Sequence, residues 1–280
     1  MIITKTPYRI SFFGGGSDYP QWYKKFGGSV LSTTIDKFIY ISCRKLPPFF
    51  DHKYRVVWSK IENVKKIDQI QHLTVKKLLQ HNKIKAGLEI HYDGDLPARS
   101  GMGSSSSFSV GLISALLKFQ KKKISSMNLA KQTINFEQKI MKEVVGSQDQ
   151  VAASLGGFNK INFLKDGKII VKKILSKNLI RLNSNLLLLY TGIQRNAATV
   201  ANNYVHKLSN QKEKNIRSII RKVNIGEKII QAGNLDDFGE LLNEMWIEKK
   251  NLSELVSNNK IDELYNTCLE NGAIGGKLLG

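Results

Sequence analysis

The stretch GDLPARSGMGSSSSFSVGLISALLKF, residues 94–119, sets two close glycines and four consecutive serines directly ahead of an apolar run. Glycine backbone can approach a bulky anion with no side chain in the way. The first turn of a helix adds unpaired N–H groups at the positive end of its dipole. Serine hydroxyls beside it can accept from those amides or supply oxygen to a hard cation. The pattern predicts a phosphate-binding turn made by Gly101, Met102, Gly103, Ser104, Ser105 and Ser106, with Pro97 at its entrance. One serine suffices to cap a helix, so the others need a further role. The run has neither the lysine of G-x-x-x-x-G-K-[ST] nor the spacing of G-x-G-x-x-G, so it is not a usual nucleotide loop.

Further places carry candidate chemistry. Gly14, Gly15 and Gly16, followed by Ser17 and Asp18, come straight after an apolar strand-like run. Successive glycines there exceed what a hairpin turn requires and let a polar ligand reach backbone. Arg9 stands between Tyr8 and Ile10 in that run, where a guanidinium must be paired or face a cleft. Glu137 falls inside a helical apolar stripe with Thr133, Ile134, Ile140 and Met141, where a carboxylate is costly unless it meets a cation. Asp149 enters the apolar segment Val151-Ala152-Ala153. A salt bridge for Glu137 and a helix cap for Asp149 are the plain alternatives.

These residues need elements to hold them. Alternation predicts two short strands around Pro7 within residues 2–13, two more within 29–46, one at 55–59 and one at 88–92. Helical spacing marks 68–81, then 108–119, which is apolar nearly all round and belongs inside a core. A further helix begins at Ser125-Ser126. Strands follow at about 157–163 and 168–175, and the apolar run 186–190 reads as another. Beyond residue 195 three amphipathic stripes predict helices, one through Ile216, Ile219, Ile220 and Val223, one through Leu235 to Trp246, and one through Ile261 to Leu269. Several strands ahead of one buried helix predict an α+β layer fold.

At 280 residues, two domains are the natural expectation. No apolar run reaches the length of a membrane span and no signal sequence opens the chain, which predicts a cytoplasmic protein without a membrane partner. Two cysteines make neither a disulfide framework nor a zinc site. A net charge of +20 fits an anionic partner, but the lysines are scattered in short runs and do not form one basic arm.

Taken in order, PYRISFFGGGSDY, PARSGMGSSSS and GAIGGKLLG resemble the three motifs of the superfamily of galactokinase, homoserine kinase, mevalonate kinase and phosphomevalonate kinase. The glycine-serine-aspartate run and Gly-Ser-Gln-Asp-Gln are most similar to the branch that phosphorylates D-glycero-D-manno-heptose 7-phosphate on its anomeric oxygen, with fucose kinases close by. The resemblance implies an α+β two-domain fold. Residues 1–180 would form an N-terminal nucleotide- and sugar-binding domain similar to a ribosomal-protein domain, and residues 181–280 a shortened, helix-rich ferredoxin-like C-terminal domain. It implies ATP and Mg²⁺ as cofactors, with Asp149 as the acid beside the sugar hydroxyl and Arg9 as its charged neighbour. It implies Ser105 and Glu137 as Mg²⁺ ligands, residues 101–106 as the phosphate loop, and Gly14, Gly15, Gly16, Ser17 and Asp18 as the sugar-binding edge. Arg195 and Lys277 are candidates for the substrate's own phosphate. Whether Asp149 is a true base or a positioning group stays open at this stage.

Met102 replaces the family's usual leucine, a volume-conserving change. Ser106-Ser107 stands for two alanines, and the third motif is expected to continue past Gly280 into further strands. Three alternatives remain open: a kinase for fucose or another free sugar, a catalytically silent shortened kinase that binds a partner, and a nucleic-acid-binding protein; the incomplete C-terminal domain is also expected to favour self-association. The acids at 137 and 149 argue against the last of these, so the expected partners are ATP and a small sugar phosphate, with no nucleic acid.

Overall fold

The computed structural model describes residues 1–98, 100–193, 205, 208, 210 and 212–279. In chain order these form β1 (Ile2–Phe13), α1 (Pro20–Phe26), β2 (Gly28–Lys45), β3 (Tyr54–Val57) and β4 (Ile61–Val64). A 3-10 turn, Ile67–Gln69, leads to α2 (Leu73–His81), β5 (Leu88–Gly94), α3 (Ser104–Phe119) and α4 (Ser126–Asn135). A π-helical segment, Phe136–Ile140, precedes α5 (Gln148–Leu155), β6 (Phe158–Phe163), β7 (Ile169–Lys173) and α6 (Asn178–Ser184). Then come α7 (Glu213–Ala232), α8 (Leu235–Lys250), a 3-10 turn at Glu254–Val256, and α9 (Asn259–Glu270).

One long strand organises the sheet. β2 pairs with β1 along one edge, and on its other edge it serves two partners, β6 through residues 28–33 and β5 through residues 39–45. β3 lies parallel to β5 and carries β4 outside it, while β7 flanks β6. The sequence predicts two strands in each of β1 and β2, but both run through. The break expected at Pro7 is only a register irregularity between Pro7 and Arg9, opposite a bulge in β2 between Thr34 and Phe38. Proline removes one ladder donor, and a bulge absorbs the mismatch without ending the pairing. That bulge is also where β2 exchanges β6 for β5.

Two apolar layers cover the sheet. α2 and α3 pack with Tyr8, Ile39, Ile41, Leu88 and Ile90. α7 and α8 pack with Phe12, Phe13, Val30, Ile161 and Phe163. α3 is buried on almost every side, as its composition predicts, and Gly111 lets it lie against Thr4 and Thr6 of β1. Each fully buried Leu, Ile or Phe of this helix contributes roughly 1.5–3 kcal/mol by leaving water. This is the α+β arrangement expected from the sequence.

Three local expectations change. α3 begins at Ser104, so the serines form its first turn and do not precede it. Residues 186–190 are not a strand, and Leu187, Leu188, Leu189 and Tyr190 are all exposed. A short apolar run does not choose its own period, and no described strand lies alongside to pair it. α1 and β4 were not expected at all. Pro20 starts α1 at a position where a missing N–H costs nothing, and Trp22 and Tyr23 anchor it in the core. From Asn178 onward the described residues hold helices and no strand.

Candidate active site

Arg9 leaves β1 and meets Asp149 in the first turn of α5. Its Nε donates to Oδ1 at 2.6 Å and its Nη2 to Oδ2 at 2.8 Å, a two-point pairing. Nη1 donates to the Gly101 carbonyl at 3.1 Å, and the Arg9 backbone N–H donates to the Met102 carbonyl at 3.1 Å. One arginine thus ties the loop at Gly101 and Met102 to Asp149. Burial works against its charge, but Asp149 beside it outweighs that and holds the guanidinium above its ordinary range. Asp149 lies so close to the loop that a Cβ on Gly103 would stand 3.2 Å from its Oδ2. Gly103 also adopts φ 74°, the left-handed region, and two constraints at one position explain the glycine. Because it caps α3 without a side chain, the amides of the serine turn have no side-chain cap and are aimed at the loop.

The glycine run before Asp18 is mostly packing. A Cβ on Gly14 would meet the Ser29 carbonyl at 2.0 Å, and one on Gly16 would meet Ile216 of α7 at 3.0 Å. Only Gly15 faces open space. The Ser17 hydroxyl shares its one proton between the carbonyls of Gly14 and Ser29 and accepts from the Ser29 N–H, so it is occupied by the fold. Asp18 is buried, and its carboxylate accepts from the N–H groups of Gly16 and Gln148.

Glu137 sits in the π-helical segment, where the Met141 N–H reaches back five residues to the Phe136 carbonyl. Such bulges re-aim a side chain and recur at functional sites. The carboxylate is 1% exposed. Oε2 accepts from Ser106 at 2.9 Å and from the Gln150 amide at 2.5 Å, while Oε1 has no hydrogen-bond partner. Burial, only partly offset by these neutral donors, pushes its pKa up to about 7. A buried carboxylate oxygen without a partner, beside a serine turn whose amides suit phosphate, fits a hard cation that takes one or two protein oxygens and completes its shell with phosphates and water. Among the described residues no cluster of three or more His, Cys, Asp or Glu offers a protein-built alternative. The serine that reaches Glu137 is Ser106; Ser105, in the same turn, is exposed.

Lys277 comes to the same region from the far end of the chain. Its ammonium donates to the carbonyls of Ser11 at 2.7 Å and Phe12 at 3.2 Å in β1. Burial, then the charges of Lys249 and Arg9, hold it well below the ordinary lysine range. Beside it opens a cleft of about 1650 Å³, lined among others by Ile10, Thr33, Gly101, Met102 and Lys277. Ser104 is half-buried in the serine turn, Met102 is buried and Pro97 is exposed. Arg195 lies outside the described residues. Gln150 was not anticipated, although it joins the two acid positions by placing its amide on Glu137 one residue after Asp149. Its signal was a polar trio, Gln148, Asp149 and Gln150, leading into an otherwise apolar helix.

Several known proteins are similar to this chain. The model of the GHMP kinases N terminal domain matches residues 68–157, which span α2, β5, the serine turn, Glu137 and Asp149. D-glycero-alpha-D-manno-heptose 7-phosphate kinase of Campylobacter jejuni is 30% identical over 295 residues, covering 100% of this chain and 86% of the relative. The crystal structure of a D-glycero-D-manno-heptose 1-phosphate kinase from Bacteriodes thetaiotaomicron superposes with a TM-score of 0.79 at 21% identity, covering 100% of this chain and 86% of that one. The Methanococcus jannaschii mevalonate kinase gives 0.70 at 20% identity, covering 100% and 87%. The fold is the two-domain fold of these enzymes. With a full-length relative at this identity and an arginine, an acid and a serine turn brought together in space, the chain belongs to the GHMP kinase family of ATP-dependent phosphotransferases.

Proposed function

We propose that this protein is a sugar-phosphate kinase that transfers the γ-phosphoryl group of ATP to the anomeric hydroxyl of D-glycero-D-manno-heptose 7-phosphate, giving the 1,7-bisphosphate and ADP. The observation that carries this reading is Asp149 held by Arg9 against the Gly103 loop, an acid placed where a phosphate and a hydroxyl would meet. The 30% identical relative supports the choice of sugar.

In this reading the serine-turn amides and hydroxyls cradle the phosphates of ATP. The sugar oxygen attacks phosphorus as the bond to ADP breaks, and its proton passes to a carboxylate oxygen of Asp149. Arg9 holds that carboxylate in place at two points. Ser105 and Glu137 would hold Mg²⁺, with Ser106 orienting the carboxylate. The ion would offset charge on the phosphate oxygens. Such a transfer needs positioning and charge stabilisation more than covalent help. Lys277 and Arg195 would face the sugar's own phosphate, and residues 1–180 and 181–280 would be the two lobes that enclose the substrates.

The test is ATP consumption with heptose 7-phosphate, free heptose, fucose and galactose. Turnover confined to the 7-phosphate is expected, with product identity read by phosphorus NMR. Equal or better turnover of fucose would move the reading to a free-sugar kinase.

A further inference from the structure

We infer that Gln150 is a positioning residue that turns the Glu137 carboxylate toward a divalent cation and, as the neighbour of Asp149 on α5, joins the metal end of the site to the acid end. This rests on the reading of Glu137 as a metal ligand and of Asp149 as the acid, in which Gln150 has had no task.

A carboxylate at the end of a glutamate turns easily, because its last torsion is broad and nearly two-fold, so hydrogen bonds decide where its oxygens point. At Glu137 two donors meet on Oε2, the Ser106 hydroxyl from α3 at 2.9 Å and the Gln150 amide from α5 at 2.5 Å. Donors from two elements fix the carboxylate plane where one would leave it a hinge. Oε1 is left with no well-formed hydrogen bond and the Ser109 hydroxyl close by, so it is the oxygen still able to ligate a hard cation. Metal ligands commonly owe both orientation and affinity to such outer partners.

Packing does not explain the amide. Gln150 is fully buried, and its own carbonyl oxygen finds no hydrogen-bond partner. A buried polar end without a partner is costly, and an apolar side chain of the same length would fill this place without that cost. What the amide supplies is its bond to Glu137. Its place in the chain extends the effect of that bond. Asp149, one residue earlier, is held on both oxygens by Arg9 of β1, so the first turn of α5 is tied to β1 by Asp149 and to the π-helical segment by Gln150. The two carboxylates thus share one helical turn, and a displaced Glu137 pulls on the placement of Asp149.

Gln150→Met keeps the chain length and loses the donor. Titration calorimetry with ADP should show the Mg²⁺ concentration needed for half-maximal tightening raised about tenfold, with ADP affinity in the absence of metal within about twofold of the parent. The kcat should fall about tenfold at a sugar KM within about twofold. In a Glu137→Gln background the same change should alter the Mg²⁺ dependence by less than about twofold, because the carboxylate it acts through is gone. A role in packing alone would lower the melting temperature and leave the Mg²⁺ dependence as it was. Unchanged Mg²⁺ dependence, or a tenfold effect that survives in the Glu137→Gln background, overturns the inference. Should Gln150→Met not fold, Gln150→Asn keeps an amide one methylene short of Glu137; the same loss of Mg²⁺ affinity is expected there, and its absence is equally fatal. The titration needs no sugar, so a parent that binds ADP with Mg²⁺ but phosphorylates no sugar phosphate would refute the proposed function and leave Gln150 to be judged by the Mg²⁺ dependence. A parent whose ADP binding ignores Mg²⁺ overturns the inference itself.

Discussion

Asp149 and Glu137 border the same serine turn, but their surroundings are opposite. Asp149 has an arginine on both oxygens and stands at a helix start, where a negative charge is favoured. Glu137 lies deeper, with Ser106 and Gln150 on one oxygen, no well-formed hydrogen bond on the other, and only the neutral Ser109 hydroxyl as a further neighbour. A charge whose partner is built into the fold is ready before any ligand arrives. A carboxylate left one partner short is stable only when neutral or when a cation comes. Under the proposed function the contrast separates an acid held in place beforehand from a site that is completed on binding, and it predicts that the two residues respond in opposite directions to the same kind of substitution.

The largest effect is expected at Asp149. Asp149→Asn should lower turnover by at least about a hundredfold, the usual scale for losing a positioned acid or base. It should also destabilise the fold by about 3 kcal/mol, because Arg9 is left buried with a charge no longer matched. Steady-state kinetics and denaturant melts read the two quantities separately. Unchanged turnover would remove Asp149 from the chemistry and collapse the contrast.

Glu137→Gln should do the reverse to stability. Glutamine keeps an acceptor for Ser106 and Gln150 and drops the charge that burial penalises. In the metal-free protein the folded carboxyl keeps its proton up to about pH 7, whereas the usual value is 4.5. The stability it contributes is whole below pH 4.5 and is lost as pH climbs to 7, on the order of 3 kcal/mol. The variant should lack that slope and be at least as stable as the parent at pH 8. Its affinity for nucleotide in Mg²⁺ should fall by about tenfold or more while sugar affinity holds, as calorimetry would show. A loss confined to the sugar would move Glu137 off the metal.

Much of this site could be read from the sequence, and the part that could not has physical causes. Arg9, Glu137 and Asp149 stood out because a charge in an apolar pattern demands an explanation. The serine turn stood out because it held more hydroxyls than a cap needs. The backbone contacts of Asp18 did not, since its partners Ser147 and Gln148 are remote in sequence and backbone amides leave no mark in residue type. The glycines at 14 and 16 read as ligand access because packing against Ser29 and Ile216 is equally invisible before the fold is known. Residues 186–190 misled for another reason: apolar content gives burial tendency without period, and tertiary pairing decides the rest.

The smallest expected effects lie in the serine turn, and they refine the contrast by asking which hydroxyl belongs to the protein and which to the cation. Ser106 donates to Glu137 inside the core, whereas Ser105 is exposed one residue earlier. Ser106→Ala removes a donor from a buried carboxylate and should cost about 1 kcal/mol of folding stability, with nucleotide affinity changed by only about threefold. Ser105→Ala removes no buried bond and should leave stability within about 0.5 kcal/mol. If Ser105 is the hydroxyl that meets Mg²⁺, the same change should weaken nucleotide binding in Mg²⁺ by about tenfold and have little effect in its absence. The paired measurement is a thermal melt without metal and a nucleotide titration with and without it. Should Ser106→Ala carry the metal dependence and Ser105→Ala none, the hydroxyl that orients Glu137 would also be the one that meets the cation. The ion would then sit deeper, against the unpartnered Oε1, and Ser105 would contribute only its backbone amide to the phosphates.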